Sequence, residues 1–165
     1  MKKITFIVLL MTLSYFAVAQ QGAIIKSYAY RQETIPGQIM EGQEDARFVS
    51  HFIYLEILKK NNIVIKYIWI GNHCSIPSVI AISKLPVVMV HNTGMGMNEG
   101  STQLVPKTKN TILQVMQGKE IADQKLTTGK KLAAKNKFVI AYTYKGKWCY
   151  YTGKSIKTLE TQFGI

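Results

Sequence analysis

Four side chains near the middle of the sequence combine thioether and imidazole groups at close spacing. They are Met89, His91, Met95 and Met97. Thioether sulfur and neutral imidazole suit Cu(I), so the cluster supports a hypothesis of soft-metal (copper) binding in the periplasm. Met89 and His91 fall on the same side of an extended strand, because side chains alternate between the two faces. The alternative interpretation is that Met89 packs in the core and the other methionines are incidental.

The string Gly94-Met95-Gly96-Met97-Asn98-Glu99-Gly100 overlaps this cluster and does not fit a nucleotide loop. A P-loop ends in Gly-Lys-Ser/Thr, and the dinucleotide fingerprint requires a third glycine where Glu99 stands. The string therefore predicts a flexible connection between strands, and no cofactor is predicted. The common hydrolase strings G-x-S-x-G, S-x-x-K and H-E-x-x-H are also missing from the sequence, so no catalytic residue is predicted. An enzyme whose site is assembled from dispersed residues stays an alternative.

The sequence contains two cysteines, Cys74 and Cys149. An even count in an exported chain predicts one disulfide, which would join the middle of the chain to its C-terminal part. On the chain-entropy account, closing so long a loop contributes roughly 4 kcal/mol. Two buried thiols are the alternative, since a free cysteine behaves as a small apolar residue. His73 does not pair with its neighbour Cys74, because adjacent side chains on a strand point to opposite faces.

The first nineteen residues have the pattern of a Sec-type signal peptide. Lys2-Lys3 precedes the apolar run Ile4 to Phe16, and Ala17-Val18-Ala19 supplies small residues for cleavage after Ala19. The apolar run is too short for a spanning helix, and no later segment has the length of one. The sequence therefore predicts a periplasmic or secreted protein. Residues 1–19 would form the leader and residues 20–165 a single β-rich domain, with no transmembrane segment after leader removal.

The charge of the chain, +12 overall, is concentrated in its C-terminal part. Residues 20–106 carry seven Lys or Arg against six Asp or Glu, whereas residues 107–165 carry twelve Lys against three acids. This asymmetry favours an acidic partner, either an envelope protein or an anionic glycan or lipid, and export argues against nucleic acid. A solvated basic face is the alternative. The predicted polyanion-binding lysines are Lys125, Lys130, Lys131, Lys135 and Lys137.

Short apolar runs separated by turn residues predict an all-β fold, a single antiparallel β-sandwich or small barrel of about seven or eight short strands. One hairpin is predicted between 48–58 and 63–70 around Asn61-Asn62, and a second between 138–144 and 147–152 around Lys145-Gly146. Further strands are predicted at 23–30, 78–83, 87–92 and 111–117. The segment 119–137 is ambiguous, and residues 156–163 are predicted to form a short helix or an irregular segment.

Aromatic side chains near lysines provide the best binding hypothesis. Exposed rings beside cationic groups can stack on sugars or hold an acidic glycan or lipid, although core packing accounts for most of these rings. The residues concerned are Tyr54, Tyr67, Trp69, Trp148, Tyr150 and Tyr151. No diagnostic motif assigns the chain to a family. The favoured function is an exported, non-catalytic binding or accessory protein of the bacterial envelope, with an unknown partner.

Overall fold

The computed structural model describes residues 22–35, 47–91, 100–122 and 126–163, and these residues are mostly strand with one short helix. The predicted leader and its cleavage site lie outside the described residues. Within the described part of the chain, no helix is both long and apolar enough to cross a membrane. The elements are β1 (Ile24–Ile35), β2 (Phe48–Ile57), β3 (Ile63–Ile70), β4 (His73–Ser75), β5 (Ser78–Ile82), β6 (Val87–His91), β7 (Gly100–Val105), β8 (Thr111–Met116), α1 (Thr127–Ala133), β9 (Phe138–Tyr144), β10 (Lys147–Gly153), β11 (Lys157–Thr158) and β12 (Gln162–Phe163).

The strands form three sheets. The first has the order β11-β1-β2-β8-β5, with β12 also paired to β1, and the second has the order β10-β9-β3-β4. The third is the hairpin of β6 and β7. Pairing is antiparallel except for β11 and β12, which run parallel to β1. No sheet of the described strands closes into a barrel, so the predicted antiparallel all-β fold is confirmed and its barrel form is not observed.

The first and second sheets contribute side chains to one hydrophobic core. Ile53, Leu55 and Ile57 alternate along β2, and they share a buried cluster with Ile68 of β3 and Ile140 of β9. Alternation places every second residue of a strand on the same face, so these apolar side chains turn together toward the other sheet. Each fully buried side chain of this size contributes roughly 1.5–3 kcal/mol to stability.

The opposite face of each sheet is also covered. Tyr30, Tyr54 and Ile112 of the first sheet pack with Leu104 of β7 and with Leu159. On the second sheet, a separate cluster joins Trp69, Val139 and Ala141 to Ala133 of α1. Double coverage explains why the C-terminal halves of β2 and β3 are apolar on both faces, whereas Phe48, Val49 and Val64 in their first halves are exposed.

The predicted hairpin between β2 and β3 is wrong. β2 pairs with β1 and β8, whereas β3 pairs with β9 and β4, so the two strands belong to different sheets. Asn61 begins the crossing between the sheets, where its N–H donates to the Leu58 carbonyl at 2.8 Å. Ile53, Leu55 and Ile57 of β2 nevertheless share one core cluster with Ile68 of β3, because the two strands face each other across the two sheets.

The second predicted hairpin is confirmed. Tyr142 lies opposite Cys149 and Ile140 opposite Tyr151, in the predicted register. Lys145 and Gly146 have φ angles of 49° and 74°, the left-handed values that a two-residue primed turn requires. The strands predicted at 23–30, 78–83, 87–92 and 111–117 correspond to β1, β5, β6 and β8. β7 was not predicted because its polar sequence, GSTQLV, lacks an apolar alternation.

The predicted Cys74–Cys149 disulfide is not formed, and the two cysteines are not bonded to each other. Cys74 on β4 packs with Trp69 on the outer face of the second sheet, whereas Cys149 on β10 packs against the core on its inner face. β9 and β3 separate their strands. Three strand spacings amount to roughly 14 Å, well beyond the ~7 Å Cα separation that a disulfide allows.

The thiols are expected to react with a maleimide in two separate stages. Half-buried Cys149 takes up one label in the native protein, and buried Cys74 is labelled only after unfolding. Intact-mass spectrometry before and after denaturant counts the labels, and Cys149→Ser provides the matched control with no native label. If both cysteines stay unlabelled in denaturant without a reductant, the two thiols are bonded and this prediction is wrong.

Candidate functional site: a basic cleft

A cleft of about 340 Å³ opens where β1, β7 and the end of β10 meet. We call it the lysine cleft, and it is defined by three lysines, two of its tyrosines and a serine. These residues are Lys26, Lys154, Lys157, Tyr28, Tyr151 and Ser27. Among the described residues that line the cleft, none is Asp or Glu. The described lining of the cleft therefore carries three positively charged side chains and no negatively charged one.

Strand alternation places two of the lysines on the same face. Lys26, Tyr28 and Tyr30 alternate along β1, and Lys157 lies opposite Tyr30 in the parallel pairing with β11. Cross-strand partners point to the same side of a sheet, so Lys157 shares the face of Lys26. The Lys26 ammonium lies 4.8 Å from the centroid of the Tyr28 ring, within cation–π range. The Tyr28 ring therefore lies beside the Lys26 ammonium on the face of the sheet that Lys157 shares.

Tyr28 is held as a protonated phenol. Its hydroxyl donates to Glu56 Oε2 at 2.9 Å. Burial first, and then the Glu56 carboxylate, raise the pKa of Tyr28 to about 12. The phenol consequently stays neutral at any physiological pH, and it adds no negative charge to the cleft.

Two further hydroxyl contacts fix the walls. The Tyr151 hydroxyl donates to Ser27 Oγ at 3.0 Å, which ties β10 to β1 across the core. On the other side of the sheet, the Tyr30 hydroxyl donates to the Leu104 carbonyl at 2.6 Å and ties β1 to β7. Residues brought together from three separate elements thus form one rigid groove.

The lysines singled out in the sequence lie elsewhere. Lys130, Lys131, Lys135 and Lys137 are exposed in or just after α1, which packs on the outer face of the second sheet. Lys125 lies outside the described residues. Lys154 and Lys157 belong to the basic C-terminal part, but Lys26 is far from them in sequence and no spacing indicated it. The available signal was that Lys26 and Tyr28, as alternate residues of a predicted strand, share one face. This pattern does not indicate which strand lies beside them.

The copper hypothesis stays a prediction. Met89 packs against the core cluster between the first sheet and the hairpin of β6 and β7. The His91 side chain, Met95 and Met97 lie outside the described residues. Elsewhere in the described part of the chain, no group of three His, Cys, Asp or Glu could hold a metal ion.

The aromatic residues divide into core and surface. Tyr54 and Trp69 are buried, so packing accounts for them. Trp148 is 52% exposed, and its ring lies parallel to that of Tyr67 with centroids 6.2 Å apart. Tyr151 lines the lysine cleft. The lysine–ring contacts in the described residues include those of Lys26 with Tyr28 and Lys145 with Tyr144, and neither tyrosine was singled out in the sequence.

A second cleft of about 350 Å³ lies where the start of β2, the end of β3, β4 and the segment after β8 meet, and it contains acid–base groups. His73 Nδ1 lies 2.8 Å from Glu120 Oε1, and both side chains are mostly exposed. Burial lowers the pKa of His51 despite its hydrogen bond to Gln117. The buried Ser75 hydroxyl lies outside hydrogen-bond reach of every described group. The cleft therefore contains an imidazole–carboxylate pair but no activated serine.

The chain matches no protein-family model, and neither a curated protein nor a solved structure is significantly similar to it. The class of protein is therefore described by its fold and its site alone. It is a β-rich protein with a basic, hydroxyl-lined groove at the side of its core.

Proposed function

We propose that this chain is an exported, non-catalytic binding or accessory protein of the bacterial envelope, and that it holds an anionic partner in the lysine cleft. The observation that carries the proposal is the convergence of three lysines on a cleft without a described carboxylate. The core shared by the first two sheets supports a β-sandwich as its scaffold. The leader pattern of residues 1–19 supports export.

The chemistry shared by the expected partners is a carboxylate, phosphate or sulfate group. Lysine ammonium groups pair with such anions as charged donors, and the Ser27 hydroxyl adds a neutral one. A cleft with low-dielectric walls concentrates the field of its charges, so an anion is attracted more strongly than by lysines spread over a convex face. The volume falls within the usual range of about 300–1,000 Å³ for small-ligand sites.

The lysine cleft supports this function better than the lysines around α1. The lysines near α1 are exposed, as those of the lysine cleft are, but they follow one another along a short helix and the segment after it instead of converging from separate elements. In the lysine cleft, the hydrogen bonds of Tyr151 and Tyr30 hold the walls in place before any ligand arrives. A preformed groove loses less conformational entropy on binding than mobile surface lysines.

Charge reversal in the cleft is expected to weaken anion binding by at least about tenfold, equivalent to roughly 1.4 kcal/mol. The variant is Lys154→Glu with Lys157→Glu, and its matched control is Lys131→Glu with Lys135→Glu, which changes the net charge equally. The probes are a fluorescent octaglutamate peptide and trigalacturonate, measured by anisotropy and calorimetry in low and moderate salt.

The control is expected to lose less than about threefold in affinity, because only long-range attraction changes there. Equal losses in the two variants would contradict a defined site and indicate attraction to net charge alone. Failure of both probes to bind the unchanged protein would overturn the proposed function.

A further inference from the structure

The lysine cleft contains an open stretch of sheet edge. β1 pairs with β2 along nearly all of its length on one side. On its other side, β11 pairs with Tyr30 and Arg31, and β12 pairs with Thr34 and Ile35. Between Lys26 and Ala29, no strand in the described part of the chain pairs with this second side. The lining residues Lys26 to Tyr30 are consecutive, so the edge itself forms the floor of the cleft.

The direction of the peptide groups follows from the pairing. The Leu159 N–H donates to the Arg31 carbonyl at 2.8 Å, so the peptide groups of Arg31 point away from β2. Peptide groups alternate in direction along a strand, and the register from Lys26 to Thr34 is uninterrupted. Ser27 therefore points its N–H and C=O into the lysine cleft, where no described backbone group pairs with them.

An extended chain laid along this edge would meet different chemistry on its two faces. Side chains on one face would meet Lys26 and Lys157, and those on the other would meet Ser27 and Tyr151. The open segment from Lys26 to Ala29 spans roughly 10 Å at strand rise, which accommodates about three residues. A ligand that satisfies both the edge and the lysines is therefore a strand with acidic side chains at alternate positions.

We propose that the occupant of the lysine cleft is an extended acidic segment of a partner protein, added as a strand to the open edge of β1. This inference rests on the proposed function and names its partner class. Strand addition takes affinity from main-chain hydrogen bonds and specificity from alternate side chains, and the cleft offers both. A saccharide matches the lysines but not the peptide spacing of the edge.

A second copy of this chain is disfavoured as the occupant. Lysines beside an exposed edge repel the same edge of another copy, which is a common protection against self-association. Lys26, Lys154 and Lys157 all line this cleft, so two copies would bring six ammonium groups together. An acidic strand removes that repulsion and replaces it with attraction.

Backbone methylation of a peptide probe tests the strand geometry. The parent probe is acetyl-Glu-Val-Glu-Val-Glu-Val-Glu-amide, and two derivatives carry three N-methyl groups each, on the valine amides or on glutamate amides. The acidic side chains face the lysines in every case. Because only one edge of an added strand faces β1, one derivative is expected to lose at least about tenfold in affinity and the other less than about threefold.

The possible outcomes separate the two proposals. Equal binding of both derivatives and the parent, together with a loss in Lys154→Glu/Lys157→Glu, would overturn strand addition and leave the anion site intact. If the parent peptide binds both lysine variants as tightly as it binds the unchanged protein, the proposed function itself is overturned. Trigalacturonate binding tighter than the parent peptide, and displacing it, would also overturn the peptide occupant and indicate a saccharide.

Amide hydrogen exchange supplies an independent readout on the protein. On binding the parent peptide, exchange at the Ser27 amide is expected to slow at least about tenfold, while the Tyr28 amide, which faces β2, is unchanged. Unchanged Ser27 exchange in the saturated complex would overturn the edge pairing.

Discussion

Gly153→Ala is expected to destabilise the protein severely. A Cβ atom at this position would lie 1.8 Å from Cε1 of Phe138, which is directly opposite in the β9–β10 ladder. Phe138 is fully buried between the sheets, so its ring cannot rotate away from the added methyl group without displacing other core residues. Glycine is required here because the aromatic ring occupies the space of a side chain.

We expect a loss of about 3 kcal/mol or more in the free energy of unfolding, at the upper end of overpacking costs. For a domain of this size that corresponds to a fall of roughly 10 °C in Tm, measured by thermal unfolding with circular dichroism. Thr152→Ala in the same strand is the control, with an expected loss below about 1 kcal/mol. Adding Phe138→Leu to Gly153→Ala should restore part of the loss, because the smaller side chain vacates the space. A Gly153→Ala variant with unchanged Tm would contradict this packing.

Glu56→Ala is expected to cost about 2–4 kcal/mol, because it leaves three donors without their acceptor. Glu56 is a buried carboxylate that accepts hydrogen bonds from the Tyr28 hydroxyl at 2.9 Å, Thr108 Oγ1 at 2.6 Å and Asn110 Nδ2 at 2.7 Å. These bonds join the first two strands to the loop before β8. Glu33→Gln is the control, since Glu33 forms a partly exposed ion pair with Arg31 and its loss changes stability by less than about 1 kcal/mol.

The same carboxylate makes stability depend on pH. Burial opposes ionisation of Glu56, but the hydrogen bonds from Asn110, Thr108 and Tyr28, aided by Lys26, outweigh it and lower its pKa in the folded protein. A lowered folded-state pKa stabilises the protein above the unfolded value of about 4.3, and this contribution is lost as pH falls through the folded value. Urea unfolding at pH 7, 5 and 3 should show a difference between the wild type and Glu56→Gln that shrinks below about pH 4. A difference that grows toward pH 3 would contradict the assignment.

Local patterns in the sequence predict eight of the described strands but only some of the pairings, and they miss β7 and the short strands β4, β11 and β12. The Lys145-Gly146 turn specifies its hairpin because two adjacent left-handed residues leave the chain little alternative to reversing tightly. Asn61-Asn62 permits the same turn without enforcing it, and the chain crosses to the other sheet instead. The alternation of apolar side chains along a strand indicates which of them are buried together. It does not indicate whether two such strands pair in the same sheet or face each other across the core.

The candidate site was harder to predict for the same reason. Lys26 meets Lys157 only because β11 pairs in parallel with β1, a contact between residues distant in sequence. Clustering in sequence pointed instead to the lysines near α1, which follow one another along a short helix and the segment after it. The disulfide prediction failed on geometry of the same kind, because compartment and cysteine count carry no information about which sheet face each thiol occupies.

The parallel pairing of β1 with β11 and β12 has a consequence for biogenesis. β1 is near the start of the described chain, yet its second set of neighbours is residues 157–163. Contacts between such distant residues slow folding, because a long loop must be closed before they stabilise anything. The first sheet therefore remains incomplete on a ribosome until those residues have emerged.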